Sequence, residues 1–393
     1  MRRFESFKRI SIGDGGILVK MLRMCSIAMM FPGFFIIFAQ AVNGQTWNKK
    51  NPSTRPSARY LHAMAYDSES DRIVLFGGTS GSGETWEYDL NTDTWTQKSP
   101  SISPPWRKDH AMAYDSESDR IVLFGGFGSG GPGNPFDDTW EYDLNTDTWV
   151  QQFPAVHPSG RYLHAMVYDS ESDRIVLFGG ESSTGIMDDT WVYDANTHTW
   201  SQKLPAVHPS KRQGHSMAYD SESDRVVLFG GWLYPHWFAD TWEYDLNTNT
   251  WTQKFPSDSP PGRKSSAMVY DSLSDRIVLF GGMDSNVQKL SDTWEYDLNS
   301  NVWEKRELTT HPPARWGHAM AYDSESDRTV LFGGTGPLDD TWEYDEPLDV
   351  GEKKNLTFGD IKLLSITPNP FRDRVTIRWR IEDGRWKPED ISL

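Results

Sequence analysis

The triplet Phe-Gly-Gly occurs six times in this chain, starting at Phe76, Phe124, Phe178, Phe229, Phe280 and Phe332, at spacings of 48, 54, 51, 51 and 52 residues. So regular a period makes the repeat the unit of organisation, in place of a division of the chain into domains of typical size. The repeat is rich in strand formers and turn formers. With 18 Trp, 15 Tyr, 32 Gly and 23 Pro, the composition favours many short strands separated by tight turns.

In the first unit, Arg59 to Asp67 reads as strand A, Arg72 to Phe76 as strand B, Thr85 to Asp89 as strand C and Thr94 to Lys98 as strand D. Strand A alternates His62, Met64 and Tyr66 with Ala63 and Ala65, which suits a large face packed on the small face of a neighbour. Strand B, Ile-Val-Leu-Phe, carries no polar interruption and reads as buried on both sides. Four such runs per period of about 50 residues predict an all-β, six-bladed β-propeller.

A second tryptophan series sets the expected closure. Trp95, Trp149, Trp200, Trp251 and Trp303 each precede the next unit's Arg by 12 residues, yet the sixth unit has no such Trp after Tyr344, and Trp47 stands at that distance before Arg59. The first strand, Thr46 to Lys50, is therefore expected to complete the last blade, which removes the open edges of the ring.

Arg-x-x-His, the hydrophobic run into Gly-Gly, Trp-x-Tyr-Asp and the second Trp together resemble the kelch repeat over residues 46–345. The resemblance implies a kelch-type propeller like the central domain of galactose oxidase. Copper chemistry of the galactose oxidase kind would need a cysteine cross-linked to tyrosine, and the only cysteine is Cys25, within the expected leader. No cofactor or metal is expected.

The formal charge of −17 makes nucleic acid and anionic lipid unfavourable partners. Arg2, Arg3, Lys8, Arg9, Lys20 and Arg23 precede the apolar run Ser26 to Ala39, and Ala39 and Ala41 offer a signal-peptidase site. The reading is a signal peptide over residues 1–41, with Met1 or Met21 as the start and cleavage after Ala41 or Gly44. A run interrupted by Pro32 is too short to span a membrane about 30 Å thick. A monomer secreted from, or displayed on, a bacterial cell is expected.

Residues 346–359 read as a polar linker, and 360–393 as a partial β tail. In that tail Pro368-Asn369-Pro370-Phe371 and Val375 to Arg378 resemble the start of bacterial C-terminal sorting domains.

The A-to-B turn, Asp-Ser-Glu-Ser-Asp-Arg, is nearly identical in every unit, whereas the B-to-C loops all differ. The B-to-C and D-to-A face is the expected binding face. Its candidates are Trp232, Tyr234, Trp237 and Phe238 in one aromatic loop, which either recognises a ligand or folds over its own blade. Tyr60 and Trp316 join them beside the ring of Arg59, Arg107, Arg161, Arg212, Arg263 and Arg315.

Six guanidinium groups would suit a carboxylated ligand. Glu84, Asp138, Asp189, Asp240, Asp292 and Asp340, one per unit, offer the competing reading of structural ion pairs. A ring of His62, His110, His164, His215 and His318, with Ser266 in the fifth unit, invites a metal reading, but the resemblance to kelch repeats, which carry His at this position, implies hydrogen bonds within each blade instead. Asp67, Glu69 and Asp71 resemble a calcium loop, but Arg72 stands where its Gly belongs.

The expected function is non-enzymatic recognition of a glycan or protein outside the cytoplasm. The alternative is an acidic-sugar enzyme resembling the kelch-type sialic-acid epimerases.

Overall fold

The structure is a computed structural model that describes residues 46–345, apart from 130 and 132, together with the strand segments 361–368, 375–381 and 391–392. The expected leader and linker lie outside the described residues.

Six four-stranded antiparallel sheets form the blades. Blade one consists of Ala63–Asp67, Arg72–Phe76, Thr85–Asp89 and Thr94–Gln97. Blade six takes three strands from Ala319–Asp323, Arg328–Phe332 and Thr341–Asp345, and its fourth from Thr46–Lys50 at the other end of the ring. The register places Trp47 opposite Tyr344 and Lys49 opposite Trp342. The first strands of successive blades pack side by side around the axis, and that of blade six meets that of blade one.

The blades are held together as the alternation predicts. Met64 of blade one packs with Ala319 and Ala321 of blade six, and Met112 of blade two packs with Ala63 and Ala65 of blade one. The second strand supplies the centre of each blade: Ile73, Val74, Leu75 and Phe76 are buried. Each such side chain contributes about 1.5–3 kcal/mol on burial.

Strand A is shorter than the sequence suggests, because it begins at Ala63 instead of Arg59. Leu61 adopts a left-handed backbone with φ of 60°, which turns the chain out of the ladder. The Gly pair is needed at the same place. A Cβ on Gly77 would come within 2.5 Å of the Arg107 carbonyl oxygen in the next blade, and one on Gly78 within 2.9 Å of His62 Cβ. Gly78 instead donates its N–H to that Arg107 carbonyl, and Gly334 closes the same series by donating to Arg59.

The C-terminal strands belong to a second compact unit, distinct from Gly44–Glu346. Ile361–Pro368 pairs with Val375–Ile381, and a further short strand, Ile391–Ser392, pairs with the second.

Candidate functional site

The hairpin face is stitched for structure. Asp67 Oδ1 accepts the N–H groups of Glu69 and Ser70, and its copies do the same in the other blades. These aspartates are turn caps, buried by the turns that they hold.

On the opposite face, the arginine ring follows the ion-pair reading, which corrects its inclusion among the ligand-binding candidates. Arg59, Arg107, Arg161, Arg212, Arg263 and Arg315 are each 0% exposed. Arg212 shows why. Its guanidinium donates to both carboxylate oxygens of Asp240 at 2.6 and 2.8 Å, to the Gly230 carbonyl at 2.9 Å and to the Ser210 carbonyl at 2.9 Å. Asp240 also accepts the Trp242 indole N–H at 2.7 Å. Burial alone would raise these carboxyls, but the arginine and the indole hold Glu84, Asp189, Asp240, Asp292 and Asp340 below the ordinary carboxylate range. With its donors used internally, the arginine series is not open to a ligand.

Phe238 belongs with it. Its ring lies 4.1 Å from the Arg212 guanidinium, as Phe136 lies 4.2 Å from that of Arg107, so Phe238 covers an internal ion pair.

The histidines also differ from the expectation of hydrogen bonds within each blade. All five are buried, and the backbone group that each imidazole meets belongs to Phe332, Phe76, Phe124, Phe178 or Phe280 of the preceding blade, not to its own blade. His110 also presents its edge to the Phe76 ring, with ring centroids 5.6 Å apart, and His62, His164, His215 and His318 repeat the arrangement. Burial first, then the nearby arginine, keeps these imidazoles neutral by lowering them below the ordinary histidine range.

Above the conserved-looking framework of buried residues lies a rim that differs from blade to blade. The residue after each arginine is Tyr60, Lys108, Tyr162, Gln213, Lys264 or Trp316. Backbone hydrogen bonds or short strand pairing join these in turn to Thr79, Phe127, Glu181, Trp232, Met283 and Thr335. Tyr60 and Trp316 meet edge to face at 5.4 Å, and Phe127 meets Tyr162 at 5.0 Å.

The aromatic loop is a small hairpin in which Trp232 pairs with Trp237 and Leu233 with His236. Lys264, from the next blade, places Nζ 4.4 Å from the Trp232 ring and 5.5 Å from that of Trp237. The loop thus leans towards its neighbour, and Tyr234 at its tip is 80% exposed. Tyr60, Trp232, Tyr234, Trp237 and Trp316 therefore share the variable face.

Sequence reasoning missed Lys108, Asp109, Tyr162, Glu181 and Lys264. Their signal was present: positions one and two after each repeated arginine vary where the residues on either side largely repeat, and Glu181 stands at the variable position after a repeated Gly pair.

Comparison with known proteins agrees with this geometry. A family described as the KLHDC2/KLHL20/DRC7 Kelch-repeats domain matches residues 152–334 and 254–357, and an Attractin/LZTR1 beta-propeller family matches residues 34–204. The chain is 29% identical to Kelch domain-containing protein 2 of Bos taurus over 166 residues, covering 42% of this chain and 40% of that protein. It is 32% identical to Putative adagio-like protein 2 of Oryza sativa subsp. japonica over 197 residues, 47% of this chain and 30% of the relative. It is 26% identical to Mei4-dependent protein 6 of Schizosaccharomyces pombe over 198 residues, 45% of this chain and 28% of the relative. The chain thus spans well under two thirds of the length of these relatives. Six kelch-type blades, closed through Trp47 and matched across more than half of the sequence, place the chain in the kelch-repeat β-propeller family.

Proposed function

We propose that this chain is an exported recognition module that binds a protein or glycan partner through the rim of its variable face. One observation carries the reading. No two of the six rim pairs are alike, while the arginines, carboxylates and second-strand residues beneath them repeat with little change. A rigid scaffold with diversified loops is the arrangement that recognition requires.

Trp232, Trp237, Tyr60 and Trp316 supply large, partly exposed ring surface, and aromatic residues of this kind dominate binding energy at interfaces and stack on sugars. The acidic-sugar enzyme reading drew its support from the arginine ring, whose guanidinium groups are buried against carboxylates. A glycan array probed with the intact chain, beside a Trp232→Ala/Trp237→Ala variant, tests the proposal. Binding that falls at least about tenfold in the variant supports the rim, in line with the cost of truncating an aromatic anchor. Equal binding by both proteins rejects it.

A further inference from the structure

At the axis of the ring, on the variable face, six residues close a circle of backbone hydrogen bonds. Leu61 donates to Gly317, Asp109 to Leu61, Leu163 to Asp109, Gly214 to Leu163, Ser265 to Gly214 and Gly317 to Ser265, at 2.6 to 2.9 Å. All six hold a left-handed backbone with φ between 54° and 65°. The circle uses the N–H and the carbonyl of every member, so the polar character of the opening falls to side chains.

The circle and the histidine ring line a cavity of about 140 Å³. Five of its walls carry imidazoles kept neutral by burial and by the nearby arginines. Among the six circle members, Asp109 alone carries an ionisable side chain, and it is only 8% exposed. No hydrogen bond or ion pair to its carboxylate is found among the described residues; Lys108 and Lys264 act on it through charge alone.

Neither lysine is turned onto it. Lys108 Nζ lies 4.8 Å from the Phe127 ring, and Lys264 Nζ lies over the two tryptophans. A buried carboxylate without a hydrogen-bond donor is costly, and a donor cation is the group that relieves it.

We propose that the axial cavity receives an ammonium or guanidinium group of the bound partner, held by the Asp109 carboxylate within walls of neutral imidazole. This deepens the rim reading and rests on it: the rim supplies contact area, and the cavity selects a cationic group. A cavity of this volume admits a head group, not a whole sugar or peptide. The net charge of −17 draws cations to the molecule. Lys264 opposes the incoming charge and therefore tunes the selection.

Burial pushes the free Asp109 carboxyl up to about 7, with Lys108 and Lys264 pulling the other way. Tyr162 and Glu181 are the remaining ionisable groups of the neighbouring rim, Tyr162 close enough to feel Asp109 and Glu181 close enough to act on Lys264. A bound cation favours the ionised carboxylate, so affinity should weaken as pH falls through that value.

The test is calorimetric titration of the whole chain with N-acetyl-arginine amide, N-acetyl-lysine amide and glucosamine, with N-acetyl-citrulline amide as the uncharged control. The expected result is that at least one amine probe binds at pH 8, that citrulline does not match it, and that Asp109→Asn weakens it about tenfold or more. Lys264→Met should tighten the same probe. Preference for the amino-acid amides points to a basic protein segment, and preference for glucosamine points to an amino sugar.

NMR titration of the Asp109 carboxyl provides a second readout on the unmutated chain: the probe should lower its midpoint below about 7. Absence of binding by every amine, equal binding of the citrulline control, or equal affinity in Asp109→Asn would overturn the cavity proposal. In that event the array still judges the rim independently, since Trp232 and Trp237 lie outside the cavity lining.

Discussion

Trp47 donates its indole N–H to Thr293 Oγ1 at 3.0 Å, across a sequence separation of 246 residues. Trp95 makes the same bond to Thr341, Trp149 to Thr85, Trp200 to Thr139, Trp251 to Thr190 and Trp303 to Thr241. Each fourth strand thus pins the third strand of the blade before it, and the first strand of the chain serves the last blade on the same terms. Trp47→Ala should cost about 3–5 kcal/mol, as for other buried tryptophans. Urea unfolding should stay a single transition, with a cost close to that of Trp200→Ala. A separate early transition in the Trp47 variant would show that blade six is not part of one cooperative ring.

Arg212 and Asp240 form an internal pair in which breaking one side strands the other. Asp240→Asn should lower stability by about 3–5 kcal/mol, measured by denaturant unfolding. Arg212→Lys should not preserve stability, because one ammonium cannot bridge both carboxylate oxygens and also reach the Gly230 and Ser210 carbonyls. Full stability in Arg212→Lys would contradict a purely structural role for the series.

The neutral histidines make the ring acid-sensitive. Burial first, then the arginine charge, brings His215 and His318 down to about 3, while unfolded histidine titrates near 6.5. Between these values the unfolded chain binds more protons, so this stability is present above about pH 6.5 and is lost as pH falls. The slope is about 1.4 kcal/mol per pH unit for each imidazole. Asp71 and Asp109, raised to about 6 and about 7, act in the opposite sense in the same window. The difference between wild type and His164→Phe isolates one imidazole. Thermal melts from pH 7 to pH 4 should show a shallower decline in the variant, and parallel declines would count against a buried neutral His164.

Asp109 gives the opposite sign. Its raised carboxyl favours the folded state at low pH, and that contribution disappears as pH rises through about 7. Asp109→Asn should therefore be more stable than wild type at pH 8, with the gain vanishing near pH 4. A loss of stability at pH 8 would mean that the ionised carboxylate is already well paired in the free protein.

Much of the ring could be read from the sequence because its determinants are local and repeated: Phe-Gly-Gly, Trp-x-Tyr-Asp, and a second Trp whose displaced copy is Trp47. The site was read less well. Repetition drew attention to the arginines, and residue type alone does not tell a guanidinium facing solvent from one enclosed by Asp240, Gly230 and Ser210. Phe238 looked like its exposed neighbours until Arg212 was seen beneath it. Asp109 stood unremarked between Lys108 and His110 because the circle that buries it joins six distant segments. In a repeat protein, specificity resides where the repeat is broken, and Lys108, Asp109 and Lys264 are such breaks.

The face assignment is tested most directly by comparing two variants for binding to whichever ligand the array identifies. One carries Trp232→Ala and Trp237→Ala on the rim, and the other Glu69→Gln, Glu171→Gln and Glu222→Gln in the hairpins of the opposite face. Recognition through the rim predicts a loss of about tenfold or more in the first and wild-type affinity in the second. Unchanged binding by the tryptophan variant, with loss in the hairpin variant, would place recognition on the other side of the ring.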